Sequence, residues 1–183
     1  PYRRQRQMCI RDRFYKRINF VKSSELTQKY LEEMNNNDII LRLSNHSPHP
    51  NPVYATPGAS GMDIHAWLPD GPITLAPMER RLIPTGLYMD IPYGYEVQIR
   101  PRSGLSLKQG LTVVNSPGTV DSDYRGEVSV IMINLSEEPV TISDGDRICQ
   151  MIVAPVMHVI WQDAGDSLSQ TDRGDGGFGH TGV

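Results

Sequence analysis

Tyr95-Glu96-Val97-Gln98-Ile99-Arg100 puts Tyr95, Val97 and Ile99 on one face of an extended chain and Glu96, Gln98 and Arg100 on the other. That is the period-two alternation of a half-buried β-strand. Outward from it in both directions, short β-type runs recur: Ile39–Leu43, Met62–Trp67, Ile73–Leu75, Arg81–Ile91, Thr112–Val114, Glu127–Asn134, Val140–Ile142 and Arg147–Val156. Turn signals separate them, among them Pro69-Asp70-Gly71-Pro72, Pro92-Tyr93-Gly94 and Asp144-Gly145-Asp146, as in antiparallel sandwiches and barrels. The pattern predicts an all-β, jelly-roll-like domain over residues 38–168. Ser44–Pro57, rich in Pro, Asn and His, reads as an irregular connector, with His46 and His49 as solvated loop residues rather than metal ligands.

The flanks differ from this body. Residues 23–37 carry the one helix signal, with Ser23 or Ser24 as cap, Leu26, Tyr30 and Met34 every four residues, and Asn35-Asn36-Asn37 as stop. Residues 1–22 hold eight Lys or Arg against Asp12 alone, so the rest of the chain carries −10 within a total of −3. Residues 1–37 are therefore set apart as a basic leader plus a peripheral helix. The leader reads as a solvated tail. An organellar signal would be Arg-rich and acid-poor in the same way but richer in serine, and a stretch not native to the protein is the third reading. At the other end, residues 169–183 form a Gly-rich tail; Arg173–Val183 contains five glycines and one large apolar side chain, Phe178, too little to form a core of its own.

Bulk properties exclude several functions. A chain of 183 residues, 38% hydrophobic with three Phe, can bury one core. A body this acidic does not attract a polyanion through its overall field, so stable nucleic-acid binding is not expected; a nucleotide would be held by local Arg, backbone amides or a metal. Two cysteines, Cys9 and Cys149, provide no disulfide framework and no zinc spacing, which suits a reducing compartment, cytoplasmic or nuclear. The longest apolar stretches fall short of the roughly 20 residues of a membrane span, so no membrane partner is expected.

Five segments are too polar and glycine-rich for packing alone to explain. Ala59-Ser60-Gly61-Met62-Asp63-Ile64 brings Asp63 to a strand start, and Pro101-Arg102-Ser103-Gly104-Leu105 joins a strand to a helical turn at Ser106–Gln109. Amides at such a corner, with the Ser103 hydroxyl and the Arg102 cation, suit phosphate oxygens. Asn115-Ser116-Pro117-Gly118-Thr119-Val120-Asp121-Ser122-Asp123-Tyr124-Arg125-Gly126-Glu127 lies between two strand runs, so a hairpin would hold Asp121 beside an aromatic face. Gly145-Asp146-Arg147-Ile148-Cys149-Gln150-Met151 sets Gln150 among apolar residues, and Cys149 reads as a small core residue. Arg173-Gly174-Asp175-Gly176-Gly177-Phe178-Gly179-His180-Thr181-Gly182 lacks the lysine of a Walker loop.

The order and spacing of the five segments resemble the trimeric dUTPase family, from Ala55 to the C-terminus. The resemblance implies a jelly-roll-like dUTPase fold with a short helix after the second motif and an N-terminal helical appendage. It implies hydrolysis of dUTP to dUMP and pyrophosphate, which keeps uracil out of DNA and supplies dUMP for thymidylate synthesis. Under it, Asp121 orients and deprotonates the attacking water. Asn115 and the backbone at Gly118, Thr119 and Val120 read the uracil edge, and Tyr124 lies against the deoxyribose. Arg102, Ser103, Gly104 and Gln150 grip the α- and β-phosphates. Asp63 holds Mg²⁺ through water. From the tail, Arg173, Gly177, Gly179 and Thr181 take the γ-phosphate and Phe178 stacks on uracil. The partner set implied is the dUTP substrate and a homotrimer, with each site shared among three subunits. Met62, Cys149 and Thr119-Val120 depart from the usual pattern without removing a chemical group.

Two other readings stand beside it. A dCTP deaminase of similar fold needs a glutamate on the strand after the hairpin, where this chain has Ile131. A nucleotide-switched regulatory protein would bind without turnover, and has no need of Asp63, Asp121, Tyr124 and the tail together.

Overall fold

The computed structural model describes residues 38–165 and 168–177. The expected helix at 23–37 lies outside the described residues. The described chain contains strands β1 (Arg42–Asn45), β2 (Met62–His65), β3 (Ile73–Leu75), β4 (Arg80–Ile83), β5 (Leu87–Asp90) and β6 (Tyr95–Pro101), then helix α1 (Ser103–Gln109). β7 (Leu111–Val113), β8 (Gly118–Val120), β9 (Val130–Asn134), β10 (Val140–Ile142) and β11 (Arg147–Pro155) follow. They form sheets in the orders β2-β11-β6-β8, β4-β9-β7, β1-β5 and β10-β3, with antiparallel pairing throughout. Among the described residues the elements are strands with one short helix, the all-β class that the alternation predicts.

The inward faces build one core. Val97 and Ile99 of β6 meet Val130 and Met132 of β9, Ile64 of β2 and Ile148 of β11 within a single buried apolar cluster. The same residues supply the driving force of folding, since apolar area removed from water stabilises by roughly 25 cal/mol per Å². Asn134 is fully buried yet satisfied: its amide donates to Leu75 O and Glu138 O, and its Oδ1 accepts from Ser136 N and Oγ. It fixes the turn into β10 without an unpaired polar atom.

The structure departs from the sequence expectation in several places. The first strand is Arg42–Asn45 rather than Ile39–Leu43, so Ser44 and Asn45 belong to it and not to the connector, and the 62–67 and 127–134 runs shorten to Met62–His65 and Val130–Asn134. Arg81–Ile91 is two strands rather than one, because Pro84 has no N–H for a ladder; the Thr85 and Gly86 amides instead donate to the Glu127 carboxylate. The turn at Ser106–Gln109 is a longer helix that starts at Ser103. The third motif is not a plain hairpin loop: β7 and β9 pair at its base, but Gly118–Val120 between them crosses to pair with β6.

A bulge decides the face of one functional side chain. In the β11–β2 ladder Arg147 opposes His65 and Cys149 opposes Ile64, so Ile148 is the extra residue. Two consecutive side chains, Ile148 and Cys149, therefore point into the core, and Arg147 shares the outer face with Gln150, three residues on. Strict alternation would have put those two on opposite faces.

Candidate active site

The first, second and fourth motifs meet at one end of the four-stranded sheet. Asp63 on β2 opposes Gln150 on β11, which opposes Arg100 on β6. Arg102 leaves the end of β6 and donates from Nε to Asp63 Oδ1 at 2.9 Å, and from Nη1 to the Arg147 carbonyl at 2.9 Å. Arg147 donates from Nη1 to Asp63 Oδ2 at 3.2 Å. The carboxylate thus sits between two guanidiniums, about one-third exposed. Gln150 turns its amide to the Pro101 carbonyl at 3.0 Å, tying β11 to the start of the second motif.

Ser103 and Gly104 are exposed in the first turn of α1, beside the half-buried Arg102. His65 lies on the same strand face as Asp63; its pKa is lowered, first by burial, then by the neighbouring His49 and Arg147 charges, against the pull of Asp63. The imidazole is therefore held toward its neutral form. Cys149 is buried behind Gln150, and burial pushes its thiol up to about 12, so it is a core residue with no nucleophilic character at neutral pH.

The third motif is placed at the far edge of the same sheet. β8 is the outermost strand, paired on one side with β6, and no strand covers its other side among the described residues. Gly118 is buried against Ile99, with the Asn115 amide 3.0 Å from where a Cβ would stand. Asp121 follows β8 directly and is exposed. Tyr124 folds back so that its hydroxyl donates to the Glu127 carbonyl at 3.0 Å; the ring edge occupies the space a Cβ on Gly126 would need, so only glycine permits this fold-back. Arg125 anchors the tip to Asp90 of β5 at 2.7 Å and to the Ser122 and Tyr124 carbonyls.

Of the tail, Arg173 curls back onto the Gly176 carbonyl at 2.7 Å and Gly177 is half-buried. Phe178, Gly179 and Thr181 lie outside the described residues. Ile131 of β9, where the deaminase reading requires a glutamate, stands opposite Leu82 of β4. Arg147 was not among the phosphate-gripping residues expected from the sequence, because only the bulge turns it toward Asp63. His49 was expected to be solvated; instead its side chain is 18% exposed and lies 3.0 Å from Asp144 Oδ1. Among the described residues no three His, Cys, Asp or Glu side chains group to enclose a metal ion, and no helix is long and apolar enough to cross a membrane.

Residues 47–182 match the family model described as dUTPase. The chain is 63% identical over 133 residues to the deoxyuridine 5'-triphosphate nucleotidohydrolase of Roseobacter denitrificans, covering 73% of this chain and 87% of that protein. It is 55% identical over 142 residues to the protein of the same name from Finegoldia magna, covering 78% and 98%. Among solved structures, a Staphylococcus bacteriophage 80alpha dUTPase mutant with dUpNHpp superposes with a TM-score of 0.68 at 23% identity, over 79% of this chain and 99% of that one. A mutant dUTPase from phage phi11 of S. aureus, described with a structural Mg(II) ion, gives 0.58 at 20% identity, over 73% and 99%. At such identities the structural likeness is one of fold.

Proposed function

The chain belongs to the dUTPase family, and from that premise we propose how its residues divide the hydrolysis of dUTP to dUMP and pyrophosphate. One observation carries the division: a single sheet holds a carboxylate clamped by two guanidiniums at one end, and an edge strand, unpaired on its outer side among the described residues, that runs into a second carboxylate at the other.

The outer edge of β8, which no strand pairs among the described residues, suits uracil. An edge strand presents alternating N–H and C=O groups, and with Asn115 these meet the uracil acceptors and its N3–H. Cytosine would leave buried groups unpaired, which is the strongest form of rejection a pocket can exert. Tyr124, held by Glu127 and Gly126, presents its ring to the deoxyribose, where a 2′-hydroxyl would clash. Arg102, Ser103, Gly104 and Gln150 hold the α- and β-phosphates. In the tail, Arg173, Gly177, Gly179 and Thr181 hold the γ-phosphate, while Phe178 covers the base and shuts out water. Asp121 orients the attacking water and takes its proton. A carboxylate is a weak base, so most of the acceleration comes from positioning and charge neutralisation.

Asp63 is suited to Mg²⁺ bound through water. Each of its oxygens accepts one hydrogen bond from a guanidinium, which leaves acceptor capacity on both. A lone carboxylate fits an ion that keeps its waters and rides on substrate phosphates better than one caged wholly by protein. The ion, when bound, would neutralise charge on the triphosphate; Asp63 would hold its water shell.

The sheet also argues for shared sites. Asp63 and Asp121 are three strand spacings apart across the sheet and four residues apart along it, roughly 20 Å in all. One α-phosphate cannot engage both from the same copy. We assign Asp63, Arg102, Ser103, Gly104 and Gln150 to one subunit, the 115–127 segment to a second and the tail to a third, in a homotrimer. The test is pyrophosphate release across dUTP, UTP, dCTP and dTTP, with light scattering for mass. Turnover confined to dUTP in a particle of three copies supports the assignment; comparable turnover of UTP or a monomeric active species would overturn it.

A further inference from the structure

On the reading just given, in which the Asp63 cluster serves the triphosphate, we propose that His49 is a positioning residue for that cluster: it braces the turn that delivers Arg147 to Asp63. The connector that carries His49 is itself fixed. Asn45 Nδ2 donates to the His49 carbonyl at 2.9 Å and to Asn51 Oδ1 at 3.0 Å, Ser47 donates from N and Oγ to Asn45 Oδ1, and the His49 amide donates to Ser47 Oγ at 3.3 Å. From this frame the imidazole reaches Asp144 Oδ1 at 3.0 Å, and the same oxygen accepts from the Leu68 amide at 2.7 Å. Asp144 thereby joins the connector, the segment after β2 and the turn before β11.

The next residue of that turn abuts the ring. A Cβ on Gly145 would stand 3.2 Å from the His49 Cε1, so backbone and imidazole touch with no side chain between them. The turn is closed by Gly145 N to Ala66 O at 2.9 Å, Ala66 N to Asp146 O at 2.8 Å and Ser143 N to Asp146 Oδ2 at 2.7 Å. Arg147 follows at once, with its carbonyl on Arg102 and its guanidinium on Asp63. The bulge comes next, where the ladder determines register least. A turn feeding a bulge needs outside support to aim a long, half-exposed side chain. The charged and titratable groups around His49 are Asp144, His65 at 5.9 Å between ring centroids, and Arg147 beyond it. A 3.2 Å contact such as Arg147 to Asp63 does not survive a displacement of about 1 Å.

The experiment compares His49→Leu, His49→Gln, Arg147→Ala and the His49→Leu/Arg147→Ala double variant of the full chain, measuring affinity for dUpNHpp with Mg²⁺, affinity for dUMP, KM, kcat and Tm. Arg147→Ala is expected to weaken dUpNHpp binding about tenfold with little change for dUMP, and His49→Leu to reproduce that triphosphate-confined loss at about fivefold. His49→Gln, whose amide nitrogen can still donate to Asp144, should return binding to within about twofold, and the double variant should be no worse than Arg147→Ala. Additive losses, or a His49→Leu protein whose Tm falls while the ratio of the two affinities stays unchanged, would overturn the proposal. An Arg147→Ala protein that binds dUpNHpp like the parent would overturn the assignment of the cluster to the triphosphate instead. Should His49→Leu fail to fold, Asp144→Asn, which keeps an acceptor for Leu68, takes its place in the cycle under the same criteria.

Discussion

Arg102 donates to Asp63 through Nε at 2.9 Å while its Nη1 reaches the Arg147 carbonyl, so one guanidinium orders the carboxylate and the backbone that presents the second guanidinium. The planar fork does both because its donors diverge at a fixed angle. Arg102→Lys keeps the charge but has one compact donor group. It should lower kcat/KM for dUTP about 100-fold, roughly 2.7 kcal/mol of transition-state stabilisation, with Tm close to that of the parent. Initial rates of pyrophosphate release check this, and a Lys variant within a factor of three would show that charge alone suffices.

The separation of Asp63 from Asp121 within a copy makes a mixing experiment decisive. Asp63→Ala and Asp121→Asn should each be inactive alone, and Asp121→Asn should still bind dUpNHpp with Mg²⁺. When the two are unfolded together in equal amounts and refolded, random assembly into the proposed trimer with shared sites would leave about one quarter of the sites intact. Activity near that fraction is expected. Its absence, with mixed trimers demonstrated by mass, would place both carboxylates in one copy's site.

Gly126→Ala inserts a methyl group where the Tyr124 hydroxyl edge lies, so the tyrosine must leave the Glu127 carbonyl. Overpacking of this kind costs about 1–3 kcal/mol, and the ring loses the pose proposed for it against the sugar. The dUTP over UTP preference in kcat/KM should fall about tenfold. Competing both substrates in one reaction measures it directly.

Asp144 supplies a pH signature. The Leu68 amide, then the His49 side chain, hold its carboxyl below the ordinary carboxylate value. A folded-state value lower than the unfolded one means that the contribution to stability is fully present above the unfolded pKa and is lost as pH falls through the folded one. The Tm difference between the parent and Asp144→Asn should therefore shrink as pH falls below the normal carboxylate range. A difference that grows there would contradict the hydrogen-bonded carboxylate.

Ile73–Leu75 and Val140–Ile142 were legible to the residue because each is a short apolar run closed by proline or glycine turns. β6 was legible from its alternation and extends by Pro101. Gly118–Val120 was not, since three residues between turn-formers carry no period, and its partner β6 lies far back in the chain. The candidate residues were named from local chemistry together with the family resemblance: a carboxylate at a strand start, an Arg-Ser-Gly corner, an Asp and a Tyr in one loop. What local pattern cannot encode is which of two faces a side chain takes after an irregularity, or which loop reaches across to brace another.

The alternation of apolar and polar residues by itself determined an all-β architecture, because period is a short-range property, and the order and spacing of the five polar segments carried the resemblance to the dUTPase family from which the reaction was read. The tertiary structure alone decided that Arg147 faces Asp63 and that His49 leaves solvent to brace the Asp144 turn. It also set Asp121 at the opposite end of the sheet from Asp63. A one-residue bulge, a long-range hydrogen bond and a strand order are properties of pairing between distant segments, and no single segment contains them.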